Sequence, residues 1–478
     1  MAAPTSALTP THYVSEVPGR FSPFVIVDKR NPAGITTSTA TSAQLSYLVR
    51  AESASHDLNV PLTPVAELGT NFHVGDFDDI PENKVSLTCY DVGPRNISLL
   101  TGKLIAATGT TTFGFNELNL ANVDMIRQFA DPAGNIFKSE YFSDHVIEEY
   151  NQSLKAKSAS MEMFMMTGFN TAVFAGAIQA KSYVVQAADV TANSFSIAAL
   201  LGVDESPYQI PAPAGQPAGY WIQTGRLNFL KIERWRPTTG FIRLSEVASN
   251  AAVAPGYCSY TAGTTTLAFA AGDLVPGDLF LLTYMSYTSD VTSMSPVSGL
   301  TGINYNKIPQ LTTDTSDPTA VPTRLVPITI GAYRIQRGQS LDIKLTLKRD
   351  RAEGIGDADG IFGPSDAPEV SLSLDVKATD TALDNVLQNG VATNSSNGGT
   401  TAHDFFDPSQ ATRNQLATAV PLTVTINDPR NAGVVLETIT AGNAVFHQRT
   451  VSTPAKGAAT VKYSGKDQVG NLLISVTK

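Results

Sequence analysis

The sequence predicts a mainly β protein with a few short helices, built from sandwich- or barrel-like β domains of which one occurs twice. Three observations predict this. Leu341, Ile343, Leu345 and Leu347 alternate with Asp342, Lys344, Thr346 and Lys348, and Val370, Leu372, Leu374 and Val376 repeat the pattern; period two marks a half-buried strand. Residues 47–102 read as a worn copy of residues 333–390. Finally, 42% of the 478 residues are hydrophobic and only 16% charged, a composition that can fill a core and is neither disordered nor coiled-coil.

The repeat rests on ordered landmarks. Tyr47 matches Tyr333, Glu67 matches Glu353, and Pro81-Glu82 matches Pro368-Glu369. Val85-Ser86-Leu87 matches Val370-Ser371-Leu372 and Asp91-Val92 matches Asp375-Val376, with separations of 284 to 287 residues. Each copy has an alternating strand, a polar excursion bearing Gly and Asp, and a Pro-Glu start to a second alternating strand. A short apolar helical turn then ends in Gly102 or Gly390. A period far longer than a solenoid unit implies a duplicated domain.

The elements follow in chain order. Residues 1–42 form an arm rich in Pro, Ser, Thr and Ala, in which Phe24, Val25, Ile26 and Val27 suggest a strand that adds to a neighbour's sheet. Residues 43–220 make the first copy's domain. Its excursion, 67–80, carries Gly69, Phe72, Gly75, Asp76, Phe77, Asp78 and Asp79, and a loop of this length with two aromatics points to contact with something. Residues 110–115 read as a strand. Asn119 then caps a helix over 120–129, because Leu120, Val123, Ile126 and Phe129 recur every three residues. Asp131-Pro132-Ala133-Gly134 stops it, and 140–154 is an acidic amphipathic piece. Met161, Met163 and Met165 occupy one face of a strand in a packing role.

Residues 221–285 read as an inserted or bridging β-module after a Pro/Gly-rich connection, with tight turns at Gly272-Asp273 and Pro276-Gly277-Asp278. The second copy's domain spans 286–393, and 394–414 is a flexible linker around Asn394 to Gly399. The last stretch, 415–478, has apolar alternation at Leu422, Val424 and Ile426 and again at Leu472, Ile474 and Val476. Its close, AATVKYSGKDQVGNLLISV, resembles the final strands of bacterial and phage Ig-like domains, which implies a small, separable C-terminal β-sandwich.

Catalytic chemistry finds no constellation. The six His, at 12, 56, 73, 145, 403 and 447, include no pair at metal-binding spacing. His145 with Glu148 and Glu149 lacks a second His and reads as a solvated helix face. There is no GxSxG, P-loop or helix-opening GxGxxG, and Asp357-Ala358-Asp359-Gly360 lacks the full calcium-loop spacing. Cys89 and Cys258 have no CxxC partner, and Cys89 reads as a buried thiol. The expectation is a protein without catalytic, cofactor or metal residues. The net charge of −10 argues against gripping nucleic acid through its phosphates. The N-terminus has no signal-peptide pattern, and the most apolar window, 164–180, is too polar to cross a membrane.

A duplicated, strand-rich chain of this kind suits assembly by lateral sheet pairing, since unpaired edges invite neighbours and cyclic symmetry closes them into a ring. Two copies per chain let three chains make a pseudo-sixfold ring. The excursions, through Gly69, Phe72, Asp76 and Phe77 in one copy and Gly354, Asp357, Asp359 and Phe362 in the other, then reach the next ring. The run GAYRIQRGQSLDIKLTLKRDRAEGIG followed by PEVSLSLDVKATD resembles the core of phage major tail (tail tube) proteins. That resemblance implies stacked rings conducting double-stranded DNA without sequence-specific binding. It also implies partners at the tail tip or baseplate and the tail terminator, and a location in the virion tail after synthesis in the host cytoplasm. Another virion shell component (capsid, baseplate or decoration protein) is the alternative, and a glycan-binding surface adhesin a third.

Overall fold

A computed structural model describes residues 24–37, 45–48, 51–59, 62–66, 73–78, 82–90, 93–130, 136–168, 170–175, 177–200, 206–207, 229–247, 253–261, 264–287, 320–331, 333–335, 337–349, 351–352, 361–362, 367–377, 383, 386–387, 419–431, 433–454 and 458–477. The chain divides into two compact units. One comprises Met1–Tyr47, Asp124–Phe142 and Thr171–Asp314, the other Leu48–Val123, Ser143–Asn170 and Thr315–Lys478.

Strands dominate. The chain opens with β1 (Phe24–Val27), β2 (Leu45–Tyr47), β3 (Ala51–Asn59), β4 (Leu62–Ala66), β5 (His73–Asp78) and β6 (Glu82–Tyr90), followed by α1 (Arg95–Thr101). After β7 (Thr110–Phe113) and the short α2 (Phe115–Asn119) come β8 (Asn122–Ala130), the long β9 (Ile136–Lys155), β10 (Met161–Gly168) and β11 (Asn170–Ala175). Next are β12 (Ala177–Val184), α3 (Ala187–Ala192), β13 (Ser194–Ser196), β14 (Ser206–Pro207), β15 (Lys231–Arg236), β16 (Gly240–Val247), β17 (Tyr257–Thr261), β18 (Thr266–Phe269) and β19 (Leu279–Tyr287). The remainder is β20 (Ile328–Ile330), β21 (Tyr333–Arg334), β22 (Gly338–Leu347), β23 (Arg351–Ala352), β24 (Ile361–Phe362), β25 (Pro368–Lys377), β26 (Val420–Asn427), β27 (Val435–Ser452), β28 (Thr460–Asp467) and β29 (Leu472–Thr477).

In the first unit β12, β19, β15 and β16 pair antiparallel in that order, and β16 continues into a parallel pairing with β17. β18 joins β17 to β13. This curled sheet encloses Phe195, Phe269, Phe280, Leu282 and Tyr284, with the Phe195 and Phe280 rings 5.1 Å apart. The module therefore starts at β12, before the boundary at 221 that the sequence suggested, because β12 and β13 complete its sheet. The expected turns are present: Gly272 and Gly277 take φ of 79° and 89°, which L side chains rarely adopt. Their carboxylates hold arginines, Asp273 receiving Arg234 at 2.6 Å and Asp278 receiving Arg236 at 2.6 and 2.7 Å.

On the other face of β12 and β19, Ile178, Ala180 and Leu281 pack with Val25 and Val27 of β1, Ile126 of β8 and Tyr141. β1 pairs with β2 on one side and β8 on the other, so this strand belongs to its own chain's sheet and not to a neighbour's. A buried quartet ties these strands together: Lys29 and Lys231 each contact both Asp124 and Glu233 at 2.7–3.0 Å. Each charge is thereby compensated on two sides, the condition under which buried ions are tolerated.

The helix expected over 120–129 is a strand. Val123, Asp124, Met125 and Ile126 are all buried, so β8 is covered on both faces and shows no alternation. A three-residue recurrence cannot distinguish that situation from a helix. Asn119, expected as an N-cap, is instead the last residue of α2, whose start is held by the Gly114 N–H donating to Glu117 Oε2 at 2.8 Å. Residues 140–154, expected as an amphipathic acidic piece, lie within β9.

The second unit is organised by one antiparallel sheet in the order β3-β6-β10-β9-β22-β25-β28-β27. Its two halves match pair for pair. The hairpin β3–β6 and the hairpin β22–β25 superpose in register with a constant separation of 287: His56↔Val85 answers to Ile343↔Leu372, and Asn59↔Glu82 to Thr346↔Glu369. Both outgoing strands carry a bulge at the same place, between Ala51 and Ser53 and between Gly338 and Ser340. α1 follows the first hairpin, closed by Gly102 at φ 68°. At the same separation Leu383, Val386 and Leu387 are helical and buried after the second.

The match extends beyond the sequence landmarks. β9–β10 and β27–β28 correspond at a separation of 299, Gln152↔Glu162 answering to Val451↔Val461. The β-bulge opposite Met165/Met166 recurs at Phe446/Gln448. Gly465 sits at that second bulge, where a Cβ would come within 2.6 Å of the Val445 carbonyl. The second half is thus completed by the C-terminal strands. β28 pairs with β25, β26 with β20 and β29 with β7, which corrects the separable C-terminal sandwich. β27 passes from a smaller layer, where it pairs with β26 and β29, into the large sheet, where it pairs with β28.

Candidate assembly surface

The alternation of each strand gives the large sheet two unlike faces. Val85, Leu87 and Cys89, then Phe164 and Met166, then Leu341, Ile343 and Leu345, then Val370, Leu372 and Leu374, and finally Val461 and Tyr463 form the buried face. Burial of each large side chain contributes roughly 1.5–3 kcal/mol. Burial also pushes the Cys89 thiol pKa up, the Glu162 charge adding to it.

The opposite face is polar and charge-balanced. Across it run Ser55 and Asp57 (β3), Lys84, Ser86 and Thr88 (β6), Asn151 and Ser153 (β9), Asp342, Lys344 and Thr346 (β22), Ser371, Ser373 and Asp375 (β25), Lys462, Ser464 and Lys466 (β28), and Gln448 and Thr450 (β27). Two of its lysines are paired, Lys344 with Glu149 at 2.6 Å and Lys84 with Glu82 at 3.3 Å. Ser153 donates to Asp342 at 2.6 Å and Ser340 to Asp375 at 2.8 Å. Met161, Met163 and Met165 lie on this half-exposed face, while Glu162 is buried between them. The packing role assigned to the methionines falls instead to Phe164 and Met166. Alternation located the strand and left its inward side ambiguous; Glu162 is the inward residue, and Asn96 Nδ2 donates to its carboxylate at 2.7 Å.

His145, Glu148 and Glu149 are not on a solvated helix. His145 is fully buried in β9, and Glu149 is 7% exposed and paired. Burial raises the Glu148 pKa despite the neighbouring Lys84 and Arg349. Arg349 ties strand to helix, donating to the carbonyls of Ile147 at 2.8 Å and Asn119 at 2.6 Å.

Both outer strands of the sheet are open among the described residues. β3 pairs only with β6, and the last part of β27 only with β28. β3 is exposed along most of its length, including Leu58 at 47%, and Val451 on β27 is 49% exposed. The two ends of the strands also differ. Where β9 turns into β10 and β22 begins, a cleft of about 530 Å³ is lined by Lys155, Lys157, Arg324 and Arg334 over Leu154, Ile328 and Leu341, with no carboxylate among its lining residues. The two excursions leave from the other end, after Asn59 and after Leu347.

Of the residues expected to make inter-ring contacts, Asp76 and Phe77 lie in β5, which pairs with β4 as a hairpin, and Phe362 lies in β24, which pairs with β23. Gly69, Phe72, Gly354, Asp357 and Asp359 lie outside the described residues. The linker at 394–414 does too. Which strands form the open edges is what the sequence did not show; the weak alternation of β3, with Ala54 and His56 inward and polar residues elsewhere, was the available signal. Compared with known proteins, the chain matches no family model and no curated sequence. Among the described residues no helix is long and apolar enough to cross a membrane.

Proposed function

We propose that this chain is a structural virion protein whose copies close into rings that stack as a phage tail tube. The observation that carries the reading is the eight-stranded antiparallel sheet made of two matching four-stranded halves and ending in two open edges. The matched pairings and bulges support an ancestral duplication, each half standing for one seat in the ring. An even number of alternating strands leaves edges of opposite direction. Joining β27 of one chain to β3 of the next therefore preserves antiparallel pairing, and a head-to-tail contact of this kind closes into a cycle.

Three chains give twenty-four strands. At a strand spacing of about 4.8 Å and a tilt of about 40° the barrel is roughly 48 Å across, wider than a sixteen-stranded porin with its aqueous channel and wide enough for a nucleic-acid duplex. The polar face would line that bore. Its balanced charges and many hydroxyls lack the basic surplus that releases counterions and holds DNA fast. Charge supports stacking through the first excursion: the cationic cleft lies at one end of the sheet, while at the other this excursion carries Glu67, Asp76, Asp78 and Asp79 and no Lys or Arg; the second sets Asp350, Glu353, Asp357, Asp359 and Asp366 against Lys348, Arg349 and Arg351.

The test is the mass and symmetry of the assembled particle. Native mass spectrometry and electron microscopy of the purified chain are expected to give three-chain rings and hollow stacked tubes. Flat lattices or isolated capsomers would favour the shell-component alternative, and a monomer that binds glycans saturably would favour an adhesin.

A further inference from the structure

The joint between the two halves of the sheet is a template for a joint between chains. Inside the chain β9 meets β22 with Thr346 opposite Glu149, Lys344 opposite Asn151, Ile343 opposite Gln152 and Asp342 opposite Ser153. β3 is the counterpart of β22 at a separation of 287, and β27 is the counterpart of β9 at 299. These two strands are the edges left open among the described residues. Carrying each pair across sets Asn59 opposite Gln448, Asp57 opposite Thr450, His56 opposite Val451 and Ser55 opposite Ser452 of a second copy.

We infer that β3 of one chain pairs with β27 of the next in this register. Two further observations agree with it. Leu58 and Val451, both about half exposed, lie on the apolar side of the sheet, where the corresponding inner-joint residues Leu345 and Gln152 are buried. Pairing in register covers both, whereas a slip by one residue turns every side chain of one strand to the wrong face. The register also opposes no like charges, since Asp57 meets Thr450 and Arg449 meets Leu58. Like charges directly opposite would destabilise the ladder.

This inference rests on the ring reading above. It is tested by disulfide trapping in the full chain, where the native Cys89 and Cys258 are buried and do not interfere. Directly opposed residues on antiparallel strands have Cα atoms about 4.5–5.5 Å apart, within disulfide reach, whereas diagonal neighbours at about 7–8 Å are at or beyond it. Ser55→Cys with Ser452→Cys is expected to cross-link chains on mild oxidation at least tenfold more efficiently than Ser55→Cys with Thr450→Cys, with a covalent ring of three as the largest product. Ser153→Cys with Asp342→Cys, the same geometry inside one chain, calibrates the chemistry. Preferential trapping by the diagonal pair would overturn the register. Rings of native mass that neither pair traps would overturn the choice of edges; in both cases the ring reading stands. Particles that stay monomeric and untrapped while the internal pair closes would overturn both.

Discussion

Asn96 and Glu162 show what a single pair can disclose. In the first half of the sheet the Asn96 amide donates to the buried Glu162 carboxylate at 2.7 Å. In the second half the corresponding residues are Leu383 and Val461, 0% and 3% exposed. One scaffold thus holds a polar pair in one place and an apolar pair in the other, the two solutions that leave no buried group unsatisfied. Replacing Asn96 by Leu alone is expected to cost about 1–3 kcal/mol, because the buried Glu162 carboxylate loses this donor. The double variant Asn96→Leu with Glu162→Val is expected to recover most of that loss, as read from urea-unfolding midpoints of the three proteins. Losses that simply add would show that the two side chains do not act as a pair. Nothing in the sequence signals this coupling, since Glu162 amid methionines reads as the exposed side of its strand.

At the level of elements, half-buried strands were legible and fully buried ones were not. β6, β22 and β25 alternate cleanly because one face meets the core and the other does not. β8 is covered on both faces and was mistaken for a helix. The excursions read as contact loops in the sequence, and in the structure β4–β5 and β23–β24 give each a short ladder. Both leave the sheet at the end opposite the cationic cleft, the placement that the proposed ring-to-ring contact requires. Deleting 69–79 or 354–364 is expected to leave a folded protein that forms rings but does not stack, seen by electron microscopy as single rings in place of tubes. Tubes of normal length from either deletion would remove that excursion from the stacking contact.

For the whole molecule, the C-terminal strands change the expected outcome of truncation. As a separable sandwich, residues 415–478 would be dispensable for assembly. In the structure they supply β28, which covers the edge of β25, and β26, which pairs with β20. Loss of these strands bares the row Val370, Leu372, Leu374 and Val376 and removes one of the two open edges. A chain ending at 394 is therefore expected to be insoluble or to lose cooperative thermal unfolding, and to form no rings. Soluble rings from that truncation would mean that the large sheet closes without its second half.

What the sequence determined by itself was local: which residues alternate, where chains must turn, and that two hairpins share an order of events. Period, turn chemistry and glycine conformation are properties of neighbouring residues, so they survive in a linear reading. Only the tertiary structure decided that the C-terminal strands complete the second half, that the methionines face outward, and that two edges are left open. The deciding strand partners are distant in sequence, Ser371 with Lys466 and Phe113 with Ile474, and their pairing depends on backbone hydrogen bonds that carry no side-chain signature.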